Sequence, residues 1–480
     1  MTDRERFLEK LNAAGLNVYV SSVSESGGTF TAAVRKGLEK YLAAAGNGKD
    51  LFEGTEEDGF RICPLTHGNA AALRQLFPFT APQSHRGHRF TMGFGDRLGL
   101  ATAGHIRAIR GTDIFPVFAQ QSIRELNLTH RTFADVIDAA TFLVFQEGYR
   151  GGFGADGDHL KTKEEIRYAL SSGCSMITLD CSEHIDQQAA LLPQAEIDAR
   201  YRALPEEIRA HYEETYLGRE LPVIGRLAED ELRRIVVVFY RGVLHAADCF
   251  RYIEEIREAD VDLELSIDET LTITTPAEHF VIGNEMALAG IRIDSCAPHF
   301  SGYFEKGIEY IGCVDDFARD FEVHEKIAEH FGYKLSLHSG SDKFSVFSTV
   351  GRVTKGNVHV KTAGTSWLEA MRVVAEKEPA LYRRAHRFAI EHRPEAEKYY
   401  HVTTKASEIP NIDLESDVFL PEYLNLAPSR QTMHIAYGVL LSEDWFRKAF
   451  FRAMAEHEEE YYAGLERHLG RHIRLLLAEA

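Results

Sequence analysis

Three histidines lie where predicted strands end, and imidazole is a side chain that could hold a metal ion there. His159 lies in Gly-Asp-His-Leu-Lys, His299 follows Cys-Ala-Pro, and His338 directly follows Leu-Ser-Leu. Ring nitrogens suit zinc, nickel, cobalt, iron and manganese, so three imidazoles from three separate βα units would form a divalent-metal site. A single histidine is more often structural or exposed, and the hypothesis therefore depends on the three rings meeting.

An aspartate precedes the first of these histidines in a glycine-rich segment, residues 154–161. We predict that this segment is a turn between a strand and a helix, where the backbone can approach a ligand closely. Adjacent residues of a regular strand point in opposite directions, but at a turn Asp158 and His159 can reach one site. The alternative is that Asp158 caps the following helix and His159 is exposed.

Two further carboxylates lie in a segment where apolar and polar residues alternate, Leu-Glu-Leu-Ser-Ile-Asp at 263–268. This period of two places Glu264 and Asp268 on one polar face, which would be the interior if the strand belongs to a closed barrel. Two interior carboxylates are costly unless they meet a metal, a cation or a substrate. The alternative is an edge strand with both carboxylates in water.

Basic and amide side chains near other strand ends could bind an anionic substrate, although each alone is more often a surface group. The candidates for substrate contact are Arg97, Gln121, Arg124, Lys161, Lys343 and Lys361. The histidines that compete with the three above, and that we rank below them, are His184, His279 and His359. Gly93-Phe-Gly95 lacks the third glycine of a dinucleotide fingerprint, and the sequence contains neither a P-loop nor a G-x-S-x-G motif.

These residues must be positioned by repeated βα units, because short β-rich runs alternate with amphipathic helical stretches over residues 100–365. In barrels and in doubly wound sheets the C-terminal ends of the strands face the active site. The predicted strands are Asp113–Ala119, Ser175–Leu179, Ile235–Phe239, Asp262–Ile267, Gly290–Ile293, Lys334–Leu337 and Asn357–Val360. The predicted helices are Lys161–Ser171, Asp248–Ala259, Asp315–Phe331 and Ser366–Lys377.

Segments of different character flank these units. Residues 1–90 are predicted to form an α/β extension with helices at Phe7–Ala14 and Thr31–Ala45 and a turn at Gly27-Gly28. From Pro421 onward the pattern is helical, and we expect this tail to pack on the barrel or on a partner subunit. The predicted domains are the extension at 1–90, a catalytic (β/α) barrel at 91–400 and a helical region at 401–480.

Composition narrows the class of protein. The chain has 480 residues, 44% of them hydrophobic, and no apolar run near the ~20 residues that span a bilayer. A net charge of −19 without a long Lys/Arg block makes nucleic acid an unlikely ligand. The N-terminus lacks the apolar stretch of a secretory signal, so we expect a cytoplasmic protein. The six cysteines show no C-x-x-C pair and are interpreted as reduced.

Several motifs together resemble those of the tagaturonate epimerase family. They are Phe-Gly-Asp-Arg-Leu-Gly (94–99), Gly-Asp-His-Leu-Lys-Thr (157–162), Thr-Leu-Asp-Cys-Ser-Glu-His (178–184), Ser-Ile-Asp-Glu-Thr (266–270) and Leu-His-Ser-Gly-Ser-Asp-Lys-Phe (337–344). The similarity runs through most of the chain. It implies an α/β fold of the (β/α)8 TIM-barrel type and a divalent-metal-dependent epimerase that interconverts D-tagaturonate and D-fructuronate, with related enzymes acting on tagatose and fructose.

The resemblance also implies roles for particular residues. His159, His299 and His338 become the expected metal ligands, Asp158 the base, and either Glu264 or Asp268 the acid. From the basic and amide residues named above, Arg97, Gln121, Lys161 and Lys361 are the expected substrate contacts. Composition argues against nucleic acid and membrane as partners, and whether the protein is a homo-oligomer is left open.

The reaction that the resemblance implies suggests a retro-aldol mechanism, because the inverted carbon C3 is two bonds from the C5 ketone and its hydrogen is not acidified. A class II-type aldolase or ketose isomerase would use the same residue types. A non-catalytic sugar-binding subunit is the alternative from a different class.

Overall fold

The N-terminal region of the computed structural model, which describes residues 2–478, is an antiparallel sheet with a helix on each face. Its strands are β1 Asn17–Val18, β2 Ser24–Ser26, β3 Thr29–Lys36, β4 Glu39–Gly46, β5 Thr55–Glu57 and β6 Phe60–Pro64. They are arranged in the order β1-β3-β4-β6-β5, and β2 pairs with β3. The predicted turn at Gly27-Gly28 is confirmed between β2 and β3.

The predicted helix at Thr31–Ala45 is wrong, because this segment forms the hairpin of β3 and β4. Gly37 allows the turn by adopting a φ of 66°. Both faces of the hairpin are covered: Val34 packs beneath the first helix, and Leu42 packs on the opposite side with Phe145. The sequence therefore lacks the alternation of polar and apolar residues that marks a half-exposed strand, and its alanines favoured a helix prediction.

A closed barrel of eight parallel strands forms the centre of the described chain. The strands are β7 Phe90–Phe94, β8 Phe115–Ser122, β9 Gly154–Leu160, β10 Met176–Asp180, β11 Asp262–Ile267, β12 Ser295–Pro298, β13 Lys334–Leu337 and β14 Val358–Thr362. They follow one another in chain order around the barrel, and β14 closes it against β7. The predicted (β/α)8 class with an N-terminal extension and C-terminal helices is confirmed.

The α-helices surround this barrel and cover the N-terminal sheet. They are α1 Asp3–Ala13, α2 His67–Leu76, α3 Thr102–Ile109, α4 Ile123–Thr129, α5 Phe133–Glu147, α6 Lys163–Ser171, α7 Gln194–Arg202, α8 Glu206–Tyr216, α9 Glu229–Ile256, α10 Pro276–Leu288, α11 Val314–Phe331, α12 Phe344–Thr354, α13 Thr365–Lys377, α14 Pro379–Glu391, α15 Arg393–Ala396, α16 Ala427–Ile435, α17 Tyr437–Ser442, α18 Asp444–Glu456 and α19 Glu458–Leu477. Short 3-10 helices occupy Val20–Ser22, Lys49–Leu51, Pro78–Thr80, Ser182–His184, Ala189–Leu191, Ala406–Glu408, Ile412–Leu414 and Asp417–Leu424.

Two predicted barrel strands are wrong, and three real ones, β7, β9 and β12, were missed. Ile235–Phe239 lies inside α9, a helix of 28 residues, where packing against the barrel overrides the β-propensity of its branched side chains. The predicted strand Gly290–Ile293 precedes the real one, β12. The missed strands β7 and β9 contain glycines, which weaken the strand signal.

The C-terminal helix α19 packs against α3, α12 and α13. Leu465, Leu469 and Leu476 of this helix belong to the same apolar core as the barrel helices. Among residues 2–478 we find no helix with both the length and the apolar character needed to cross a membrane. The six cysteines are all free thiols.

Candidate active site

A cavity of about 630 Å³ opens where the C-terminal ends of the barrel strands meet. Its wall includes seven of the residues singled out in the sequence, namely Arg124, Asp158, His159, Asp268, His299, His338 and Lys361. Arg124 lies in α4, and the other six come from five strands or from the residues that directly follow them. Barrel topology thus brings together side chains that are far apart in sequence, as expected for the catalytic end of this fold.

A β-bulge explains how two adjacent residues of β9 reach the same cavity. The pairing of β9 with β10 shifts register next to Asp158, and His159 adopts a φ of 55°, a conformation that is rare for a residue with a side chain. The predicted turn at 154–161 is therefore a bulged strand, and the cap of α6 is Thr162 rather than Asp158. The bulge turns both side chains inward.

Two imidazoles converge on one carboxylate in this cavity. His338 places Nδ1 3.2 Å from Asp268 Oδ2, and His159 places Nε2 3.9 Å from Asp268 Oδ1. Each of the three residues has a potential ligand atom within 4.8 Å of those of the other two. Nδ1 of His338 is buried and has no well-aligned hydrogen-bond partner among residues 2–478.

The second nitrogen of each ring is bound to a different carboxylate. Nδ1 of His159 lies 2.8 Å from Asp158 Oδ1, and Nε2 of His338 lies 2.8 Å from Glu264 Oε1. Histidines that bind metals usually give their other ring nitrogen to a carboxylate or carbonyl, which fixes the tautomer and the ring direction. His159, His338 and Asp268 therefore fit a divalent cation.

The charges around the two rings favour the same conclusion. Burial alone would lower the pKa of His159, but Asp158 and Asp268 raise it well above its usual value. The pKa of His338 is raised against burial by Asp268 and by its hydrogen bond to Glu264. The carboxylates thus attract positive charge to this position, which either protons on the rings or a bound cation can supply.

His299 lines the same cavity but lies outside this group of three. Its Nδ1 is 3.4 Å from the hydroxyl oxygen of Thr270, and its backbone N–H donates to Thr274. The third potential ligand beside the rings of His159 and His338 is Asp268, which the sequence suggested as an acid.

On the side of the cavity wall that faces the barrel interior, the ammonium group of Lys361 is surrounded by carboxylates. It lies 2.8 Å from an oxygen of each of Asp156, Asp158 and Glu264, and it donates to the hydroxyl of Thr178. Burial disfavours the charged form of Glu264, but Lys361 and His338 outweigh it and hold its pKa well below the usual value. Burial raises the pKa of Asp156 to about 6.

The position of Glu264 decides between the two interpretations of its strand. β11 lies between β10 and β12, and Glu264 is 0% exposed inside the barrel. The polar face predicted from the period of two is therefore the interior, and the edge-strand alternative is wrong. The interior carboxylate is stabilised by a cation, as such burial requires.

Comparisons with known proteins assign this site to a family. A family model described as tagaturonate epimerase matches residues 19–476. The chain belongs to the tagaturonate epimerase family. A tagaturonate/fructuronate epimerase from Thermotoga maritima is 37% identical over 472 residues, covering 96% of this chain and 97% of that protein. The chain is thus a carbohydrate epimerase, an enzyme of the isomerase class.

Crystal structures of a family member show the same fold. The native fructuronate-tagaturonate epimerase UxaE from Cohnella laeviribosi superposes with a TM-score of 0.95 at 47% identity, covering 98% of this chain and 99% of that one. A glycerol complex of the same enzyme gives the same TM-score and identity.

Of the other candidate substrate contacts of this epimerase, Arg124 is on the cavity wall, whereas Arg97, Gln121, Lys161 and Lys343 are not. Arg97 is buried, with Nη2 2.8 Å from Glu125 Oε1 and its guanidinium 3.9 Å above the ring of Tyr437. Gln121 is fully buried and does not line the cavity, whereas its neighbour Gln120 does. Lys161 and Lys343 also bind elsewhere: Lys161 pairs with Asp180 and Glu183, and the buried Lys343 donates to backbone carbonyls, among them that of Glu305.

The competing histidines have structural partners. His184 stacks on His245 with 3.7 Å between ring centroids. His279 lies in α10, bonded to His324 and the Tyr333 hydroxyl. His359 faces the barrel interior, as its strand position suggested, and bonds Thr91 at 2.7 Å. None of the three lines the cavity described above.

A second group of potential ligands, formed by Asp342, His468 and His472, is already satisfied within the described chain. Arg430 donates to Asp342 Oδ2 at 2.7 Å, and the Asp342 N–H donates to His472 Nε2 at 2.9 Å. His468 Nε2 lies 2.5 Å from the other oxygen of the carboxylate. This group joins the C-terminal helices to the loop after β13.

Sequence analysis missed two cavity residues, Lys306 and His434. Lys306 lies in the long loop after β12, and His434 lies near the end of α16. No local pattern marks either residue, because the signal used was position at the end of a strand. Only the tertiary fold brings them to the cavity.

Proposed function

We propose that this epimerase interconverts D-tagaturonate and D-fructuronate by inverting C3, and that His159, His338 and Asp268 hold a divalent cation for the reaction. Family membership and the activities for which the two relatives are named support the choice of substrate. The observation that carries the cation site is the pair of rings, each bonded to one carboxylate and turned toward Asp268. His299, on the same wall, is a further candidate ligand.

The position of the inverted carbon favours retro-aldol cleavage. C3 carries a hydroxyl and is separated from the C5 ketone by C4, so loss of the hydroxyl proton lets the C3–C4 bond break. C3 becomes an aldehyde, and the bonding electrons move to the three-carbon fragment that contains the ketone. Rotation of the aldehyde before the bond re-forms inverts C3. When bound, the divalent cation supplies Lewis-acid stabilisation of the negative charge that develops during cleavage.

Asp158 is suited to take the hydroxyl proton. Burial disfavours its charged form, but Lys361 and His159 outweigh it and hold the pKa of Asp158 well below its usual value, so it is ionised near neutral pH. Asp158 also lines the cavity. A base that is ionised and fixed in direction by two partners needs little rearrangement to act.

The proton that Asp158 has taken must return to the same oxygen after the aldehyde has rotated. Asp268 lines the cavity, but a carboxylate that binds the proposed cation has no proton to give. We therefore assign the proton return to Asp158 itself, and we assign Glu264, which is bonded to His338 and Ser295, the positioning of His338. The same bond chemistry extends to C4 of tagatose and fructose, so we propose activity on these neutral sugars as well.

Metal analysis tests the cation site. We expect about one divalent ion per purified chain and loss of epimerase activity on chelation, restored by adding metal back. His338→Gln should lose bound metal, whereas Glu264→Gln, which removes the carboxylate that orients the His338 ring, should weaken metal affinity by roughly 10–100-fold. His184→Gln, a histidine outside the cavity, is the matched control. Full metal content in His338→Gln, or activity that survives chelation, would contradict the proposal.

An isotope effect tests the bond that breaks. With tagaturonate deuterated at C3, retro-aldol cleavage leaves the C3–H bond intact, so the rate should be nearly unchanged. Hydride transfer or proton abstraction at C3 would slow the reaction several-fold. Chromatography of the products separates the assignment from its rivals, since an aldolase releases three-carbon fragments and a ketose isomerase forms an aldose.

A further inference from the structure

Two cations on the cavity wall lack the carboxylate partners that neutralise the third, Lys361. Lys361 has three carboxylates, but neither Arg124 nor Lys306 has a carboxylate within ion-pair distance among residues 2–478. The ammonium of Lys306 donates to the Ser339 hydroxyl at 2.7 Å. In a chain with a net charge of −19, two unpaired cations facing one cavity are a specific feature.

The guanidinium of Arg124 is held in place but incompletely bonded. It lies 4.9 Å from the centroid of the Tyr400 ring, and Nη1 is 3.4 Å from the Tyr399 carbonyl oxygen. Its Nε is buried and makes no hydrogen bond within the described residues. Burial and the charge of Arg124 both lower the pKa of Lys306, against the opposite effect of the more distant carboxylates of Glu269, Glu125 and Asp268. A ligand with negative charge would relieve both the unmade bond and this repulsion.

His434 adds an unpartnered polar ring to the same wall. The residue is 1% exposed, and neither ring nitrogen has a hydrogen-bond partner in the part of the chain that the structure describes. Two glycines hold the ring: a Cβ at Gly364 would lie 1.8 Å from its Cε1, and one at Gly307 would lie 2.7 Å from its Nδ1. A buried imidazole with two unmade bonds, fixed against a cavity, points to a ligand that supplies them.

We propose that Arg124, Lys306 and His434 form the subsite that binds the carboxylate of the substrate and so sets the preference for a sugar acid over a neutral ketohexose. The subsite rests on the proposed function and deepens it. The two cations provide charge, and the neutral ring of His434 provides one N–H and one acceptor for a carboxylate oxygen and a neighbouring hydroxyl. Lys361, already paired with three carboxylates, serves the reacting end instead.

The ratio of activities on an acid and a neutral sugar tests this subsite. We expect Lys306→Met and Arg124→Gln each to raise KM for tagaturonate by about 10–100-fold, the range for a lost hydrogen bond to a charged group. KM for tagatose should change less than about threefold, because it carries no carboxylate. His434→Phe keeps the ring shape and should raise KM for tagaturonate by about 5–10-fold. Lys448→Met, which removes an exposed surface cation, should change neither KM.

A binding measurement separates failure of the subsite from failure of the proposed reaction. D-gluconate has the carboxylate but no ketone, and D-glucitol is its neutral counterpart. By calorimetry the wild type should bind gluconate more tightly than glucitol, and Lys306→Met should abolish that difference. If the wild type does not epimerise tagaturonate but this difference is found, the reaction is wrong and the anion subsite stands. Equal losses on tagaturonate and tagatose in all three variants, or no loss on either, would overturn the subsite.

Discussion

At the scale of single residues, the interior of the barrel is organised by one ammonium group. Lys361 is 3% exposed and meets oxygens of three carboxylates from two other strands. Coulomb attraction in a poorly hydrated interior offsets the desolvation of these groups only while every partner is present. The lysine therefore contributes more to folding stability than a surface ion pair does. It also directs Asp158 toward the cavity.

Lys361→Met should lower the free energy of unfolding by about 3–5 kcal/mol, because it leaves carboxylates buried without a counter-ion. The double variant Lys361→Met/Glu264→Gln should lose less than the sum of the two single losses, with a coupling of about 0.5–3 kcal/mol. Urea denaturation measures the free energy of unfolding of the wild type, the two single variants and the double variant. Lys448→Met, whose partner is exposed, should stay within about 0.5 kcal/mol of the wild type. Additive losses in the cycle would mean that the two residues do not stabilise each other.

Residue patterns predicted part of this site and could not predict the rest. The interior position of Glu264 followed from a period of two in a strand whose outer face is apolar. His159 and His338 were found because they lie at strand ends, although the bulge that turns Asp158 and His159 inward leaves no sequence signature. His434 reaches the cavity from a C-terminal helix, so its role depends on tertiary packing that no local pattern encodes.

At the scale of elements, a glycine allows the helices α12 and α19 to pack closely against each other. A Cβ at Gly351 in α12 would lie 2.0 Å from the carbonyl oxygen of Leu476 in α19, a backbone atom that cannot rotate away. Gly351→Ala should therefore push the helices apart and cost about 1–3 kcal/mol in urea denaturation. Gly464→Ala in α19 is the matched control.

Gly464 lies in a different environment from Gly351, and its substitution is not expected to lower the free energy of unfolding. The nearest atom to a Cβ at Gly464 is a side-chain oxygen of Glu369 at 3.5 Å, an ordinary contact. Alanine favours the helix over glycine by about 1 kcal/mol, so Gly464→Ala should be neutral or stabilising. Equal effects of the two substitutions would show that helix propensity, not the contact with Leu476, decides the outcome.

The pattern of polar and apolar residues predicted some elements closely and others wrongly. The helices α11 and α13 were placed within one residue at their starts, although only α11 has a broad exposed face and α13 is buried over most of its length. The run Ile235–Phe239 is mostly apolar, and the hairpin of β3 and β4 is covered on both sides, so periodicity gave no guide to either.

At the scale of the whole molecule, Asp342 fastens the C-terminal helices to the barrel. It accepts from Arg430 of α16 and pairs with His468 of α19. Burial disfavours the charged form of Asp342, but Arg430 and His468 outweigh it and hold its pKa well below the usual value. A carboxylate with a lowered pKa in the folded state stabilises the fold above its unfolded pKa, and that contribution declines as pH falls.

Asp342→Asn should therefore lower the free energy of unfolding by about 3 kcal/mol at pH 7, because Arg430 is left without its counter-ion. The difference from wild type should stay constant between pH 7 and 5 and begin to shrink below about pH 4, where the unfolded carboxyl takes up its proton. Denaturation at a series of pH values measures this. A difference that grows on acidification would have the opposite sign and would rule out this role for the carboxylate.

The seating of His434 between Gly307 and Gly364 has a consequence for biosynthesis. A chain emerging from the ribosome has completed every barrel strand by Thr362, long before residue 434 is translated. The cavity wall is therefore incomplete until that ring lies between the two glycines. A segment translated late completes the wall, so the finished site requires folding to proceed beyond the barrel into the helices that follow it.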